Sequence, residues 1–167
     1  EIGVRLVGSE MCIRDSAWIA ASLVVIAFAA WLIKRLCEEH LLVDAQMVTA
    51  LTLLLISPVS WSHHWVWLTL IIPVFLYRAW SWLSTGWAAG SLLTVLVAWS
   101  AMLLTVPPKW WWGDQVDVHA MERYQKFWVD DFVWLTILTV ALFAAAFYAS
   151  QRNNRNANTA TPVPLAS

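Results

Sequence analysis

Five apolar runs, at about residues 17–36, 41–57, 63–80, 87–106 and 131–150, constrain what this chain can fold into. Each approaches the ~20 residues that cross ~30 Å of hydrocarbon at 1.5 Å per residue. With 60% hydrophobic residues, 13% charged residues and a mean hydropathy of +0.63, the chain lacks the polar surface of a water-soluble domain of its size. The apolar excess must face lipid. Inside lipid the backbone has to bond within its own segment. The expectation is an all-α, polytopic integral membrane bundle of about five transmembrane helices. The second run is the weakest, being short and carrying Asp44 and Gln46 near its start. A re-entrant or tilted segment also fits it.

Several classes are disfavoured at once. A net charge of −1 gives no reason to expect nucleic-acid binding. Of the two cysteines, Cys12 lies near the start and Cys37 in a short polar connection, so neither a disulfide framework nor a cysteine metal site is expected. Residues 1–16, EIGVRLVGSEMCIRDS, do not open on Met and lack the parts of a signal peptide. They read as translated sequencing-adapter sequence and are kept out of the fold and function reading. The remainder is then expected to be the C-terminal part of a longer protein. Residues 151–167, rich in Asn, Thr, Ala and Pro, are expected to form a disordered cytoplasmic tail.

Basic residues suggest an orientation. If all five runs span, Lys34, Arg35, Arg78, Arg152 and Arg155 share one side. The other side holds Lys109, Arg123 and Lys126 among Asp114, Asp117, Glu122, Asp130 and Asp131. The basic side is expected to be cytoplasmic. Nearly all of the 14 tryptophans fall near run ends, as an interfacial aromatic belt requires, and Trp99 alone lies well inside a run.

Between the second and third runs sits a polar, proline-broken segment, Ser57-Pro58-Val59-Ser60-Trp61-Ser62-His63-His64-Trp65. Pro58 lacks a backbone donor and pushes Ser57 out of helical geometry, so the second helix should stop there. Ser60 or Ser62 can cap the next helix. His63 and His64 then fall in its first turn, where unpaired N–H groups and the positive dipole end favour an anion such as phosphate. Adjacent helical residues point about 100° apart, so this pair makes a poor chelate and no metal site is expected. A capped helix start with interfacial histidines is the structural alternative. Trp61 and Trp65 fit either a belt or stacking on sugar rings. In the 107–130 loop, Trp110-Trp111-Trp112 beside Lys109 fit headgroup contact or a lipid-linked substrate, and Asp130 and Asp131 suit helix capping.

The stretch Leu55-Ile56-Ser57-Pro58-Val59-Ser60-Trp61-Ser62-His63-His64-Trp65-Val66-Trp67 resembles a segment of glycosyltransferase family 87, Ser-Pro-(Ile/Val)-Ser-Trp-x-His-His-x-Val-Trp. That family includes polyprenyl-phosphomannose-dependent mannosyltransferases of actinobacteria. The resemblance covers about residues 17–150, with the specific motif confined to 55–67. It implies a fragment of a GT-C membrane fold that transfers a hexose, mannose first, from a polyprenyl-phosphate donor to a glycolipid or glycan acceptor outside the cytoplasmic membrane. The implied substrate-binding residues are His63, His64, Ser57, Ser60, Trp61 and Trp65, with the histidines touching phosphate or acceptor and the serines shaping the turn. No cofactor is implied. The family's acceptor-activating carboxylate is expected upstream of this chain, so the catalytic residue is unassigned and this piece alone should be inactive. A transporter fragment and a non-enzymatic membrane subunit are the rival readings.

Overall fold

The computed structural model describes residues 2–57, 66–104 and 131–160. They are helical throughout apart from short turns, and no strand occurs among them. Three helical stretches are long and apolar enough to cross a membrane: Ser16–Glu38, Trp87–Leu104 and Phe132–Ala157. The all-α membrane architecture expected from the apolar runs is therefore the one observed. The chain divides into two compact units, Glu1–Trp67 and Leu68–Ser167.

The first unit is a helical hairpin. Its first helix, α1 (Ile2–Glu38), runs for 37 residues without interruption, taking in most of the segment read as adapter sequence. The second, α2 (Leu42–Ile56), packs along it. Buried Ala29, Leu32 and Leu36 on α1, and Ala45, Val48 and Leu51 on α2, recur at the three- and four-residue spacing of one helical face. The connection is a Schellman turn. His40 N–H donates to the Cys37 carbonyl at 3.1 Å and Leu41 N–H to the Leu36 carbonyl at 2.9 Å. Those bonds satisfy carbonyls that the end of α1 leaves open. The motif needs a left-handed residue, and His40 takes that place with φ 58°. Asp44 is wholly buried in the first turn of α2, where the helix dipole favours a carboxylate. Thr49 and Thr52 donate their hydroxyls to the Ala45 and Val48 carbonyls at 2.8 and 2.7 Å, so their polarity is met within α2.

The second unit holds α3 (Leu68–Ser81), a 3₁₀ turn (Leu83–Thr85), α4 (Trp87–Leu104) and α5 (Asp131–Ala160). Pro73 sits inside α3 and removes one rung of its hydrogen-bond ladder. Gly86 redirects the chain into α4 at φ 144° and ψ −174°. That region of backbone space is open to glycine and closed to other residues without strain. An aromatic cluster locks the unit. Phe75 stacks on Phe143 at 4.3 Å between centroids, while Trp82 meets Phe143 at 5.5 Å and Phe147 at 6.0 Å. The Arg78 guanidinium lies 5.4 Å from the centre of the Trp82 ring. Trp82 is therefore a core residue, unlike the belt residue its position near a run end predicted. Trp80, Trp87, Trp31 and Trp18 remain exposed, as a belt requires.

Besides the early start of α1, two boundaries differ from those read in the sequence. The third helix is described from Leu68, later than the expected run, whose residues 63–65 lie outside the described residues. At the other end, α5 passes residue 150 and continues to Ala160. A disordered tail was expected there. Residues 151–160 hold four Asn and one Thr, weak helix formers, beside Gln151, Arg152 and Arg155, so the extension rests on propagation from a helix already nucleated by packing. The rest of the tail lies outside the described residues.

Candidate functional site

The end of α2 is where sequence and structure meet most directly. The helix stops at Ile56, and Ser57 follows at φ −70° and ψ 122°. This is the extended geometry that a following proline imposes. Of the six residues expected to bind substrate, Ser57 is the one within the described set. Ser60, Trp61, His63, His64 and Trp65 lie outside it, as does the 107–130 loop. Among the described residues no three metal-ligating side chains converge. His63 and His64, weighed above as a metal-binding pair, are not among them.

Next to this helix end is an open cavity of about 500 Å³ in the first unit, with Ser57 on its wall. Gln46, Ala50, Leu53 and Ser57 form a stripe along α2, joined by Thr49 and by Trp67 from beyond the break. The stripe follows the helical repeat, so α2 presents a buried edge built on Ala45, Val48 and Leu51 and a neighbouring edge turned to the cavity. Most of the wall is apolar. Its polar points are the Gln46 amide, two hydroxyls and the Trp67 indole. Because the Thr49 hydroxyl spends its proton on the Ala45 carbonyl, it can meet a ligand as an acceptor. An apolar trough with hydrogen-bonding groups at both ends, Ser57 and Trp67 at one and Gln46 and Thr49 at the other, suits an amphipathic molecule, with its chain along Leu53 and Ala50 and a polar part by Ser57.

Sequence reading missed Gln46, Thr49 and Trp67 as parts of this wall. Gln46 had been read as a weakness of the second run. The available signal was the spacing 46, 50, 53, 57, which places a polar residue at each end of one helical stripe.

No family model and no solved structure matches the chain. Curated relatives do. One is a polyprenol-phosphate-mannose-dependent alpha-(1-2)-phosphatidylinositol mannoside mannosyltransferase of Mycobacterium tuberculosis, 36% identical over 88 residues, covering 52% of this chain and 21% of the relative. A protein of the same description from Mycolicibacterium smegmatis is 37% identical over 93 residues, 49% of this chain and 21% of the relative. A polyprenol-phosphate-mannose-dependent alpha-(1-2)-phosphatidylinositol pentamannoside mannosyltransferase of Mycobacterium tuberculosis is 34% identical over 86 residues, 52% of this chain and 17% of the relative. The chain thus spans about a fifth of the length of the curated relatives it matches.

Proposed function

We propose that this chain is part of a family 87-like, GT-C membrane mannosyltransferase that moves mannose from a polyprenyl-phosphate donor to a glycolipid or glycan acceptor at the outer face of the cytoplasmic membrane. The observation that carries the proposal is the likeness, over about half of the chain, to three proteins described as polyprenol-phosphate-mannose-dependent mannosyltransferases. The end of α2 supports it physically. A broken helix beside an apolar trough can receive a lipid phosphate at headgroup depth, with the isoprenoid along the helix and the phosphate by the Ser57-Pro58 break. As the glycosidic bond opens, charge grows on the departing phosphate, and donors already aimed at that position lower the barrier. His63 or His64 is the proposed donor, Ser57 and Ser60 shape the turn, and Trp61 and Trp65 offer faces for the sugar. The acceptor's hydroxyl still needs a base. We assign that role to a carboxylate in another part of the full-length protein, so this piece alone is expected to be inactive.

The deciding experiment uses the full-length protein in membranes, with labelled mannosyl polyprenyl phosphate as donor. His63→Ala and His64→Ala are each compared with the parent protein. Loss of roughly 100-fold or more in kcat/KM is expected for the histidine that meets the developing phosphate charge. Parent-level transfer in both variants removes the histidines from the mechanism. No transfer by the parent from any polyprenyl-phosphate sugar, with substrate flux instead, favours the transporter reading.

A further inference from the structure

One end of the second unit gathers a crevice that the proposed transfer does not use. It has a volume of about 550 Å³, and Thr85, Trp87, Tyr148, Arg152, Asn153 and Asn156 form its wall. The spacing of 148, 152 and 156 puts one aromatic, one guanidinium and one amide in line along α5. Facing them are the 3₁₀ turn and the start of α4. Asn153 joins the two sides, its amide donating to the Thr85 carbonyl at 3.4 Å. The crevice therefore has polar groups on both of its sides.

Charge at this end has a single sign. Arg78 near the end of α3, and Arg152 and Arg155 on α5, all belong to it, whereas no Asp or Glu occurs from 68 to 104 or from 132 to the C-terminus. One candidate span begins at Trp87 and another closes at Ala157, so by helix length and composition the crevice falls at the ends of two candidate spans. Trp87 on its wall stands 75% exposed, as interfacial aromatics do.

We infer that this crevice binds the headgroup of an anionic phospholipid. Arg152 supplies the charge for the phosphate diester, and Asn156 and the free edge of the crevice supply hydrogen bonds to the headgroup's polar atoms. The acyl chains run beside the apolar faces of α4 and α5. The inference does not depend on the proposed mannosyl transfer, because it concerns the other unit and its test reads lipid retention.

The test uses the purified protein, delipidated in a neutral detergent and titrated with short-chain phosphatidylglycerol or phosphatidylcholine, with bound lipid counted by native mass spectrometry. Phosphatidylglycerol should be retained at least fivefold more strongly than phosphatidylcholine. Removing one basic residue near an anionic headgroup weakens binding roughly fivefold, so Arg152→Gln should abolish most of that preference. Arg152→Lys should keep it, and Arg155→Gln, outside the crevice wall, should reduce it less. Helical circular dichroism and a monodisperse elution profile check that each variant is folded. Equal retention of the two lipids overturns the inference. So does an Arg152→Gln protein that is folded and binds like the parent. Displacement of the lipid by millimolar inorganic phosphate would make the occupant a free anion and overturn the lipid assignment.

Discussion

Among the described residues, two hold backbone that most side chains avoid, and they carry different liabilities. His40 adopts φ 58° at the end of α1, a region that histidine enters more readily than most residues. Gly86 adopts φ 144°, where only glycine is at ease. A Cβ built on Gly86 meets nothing within 4 Å, so a substitution there probes the backbone alone. Gly86→Ala should destabilise the second unit by about 1–3 kcal/mol. Thermal unfolding in detergent, followed by circular dichroism, would read this as a lower midpoint. An unchanged midpoint would mean that the turn into α4 relaxes at no cost. Legibility differs between these positions. Ser57 was readable because proline dictates the geometry of its neighbour. His40 was not, because a left-handed turn usually announces itself by glycine or asparagine.

Each described α-helix overlaps one of the apolar runs, since lipid leaves a long apolar segment few options. What the runs did not reveal was how the helices face one another. Trp82 near a run end and Trp99 within a run look different in sequence, yet both are core residues, at 8% and 1% exposure. Partners far along the chain decide this: Phe143 and Phe147 for Trp82, and Phe132 for Trp99. The same packing leaves an internal weakness. Thr136 and Thr139 on α5 are fully buried, and neither hydroxyl has a hydrogen-bond partner. An orphaned buried hydroxyl costs about 1–3 kcal/mol, while valine has nearly the same shape without the polar atom. Thr136→Val and Thr139→Val should each raise the unfolding midpoint. Lower stability in either would reveal a water or another group serving that hydroxyl. Such pairs escape a reading by runs, because threonine within an apolar stretch normally bonds its own helix, as Thr49 and Thr52 do.

At the scale of the molecule, helix length bears on the path through the membrane. The helices α2 and α3 have 15 and 14 residues, or about 20–23 Å each, short of a ~30 Å hydrocarbon layer. They flank the proline break, so both can cross with local thinning of the bilayer, or both can enter and return as a re-entrant pair. Either way the chain makes an even number of crossings between the turn after α1 and the end of α3. The proposed cytoplasmic placement of Lys34, Arg35, Arg78, Arg152 and Arg155, which rests on the positive-inside rule, is therefore the same in both arrangements. Ser57 separates the two cases. It reaches the outer face only if α2 crosses, as the proposed lipid-phosphate chemistry requires. Exposed Cys37 in the turn is a ready reporter once Cys12 is replaced by serine. A membrane-impermeant maleimide should label it in inverted vesicles and not in intact cells. In a protein carrying Cys12→Ser, Cys37→Ser and Ser57→Cys, labelling should occur in intact cells. Protection of the Ser57→Cys protein in intact cells with labelling in inverted vesicles would make α2 and α3 a re-entrant pair. The cavity by Ser57 would then open toward the cytoplasm, and outer-face transfer from this break would be untenable.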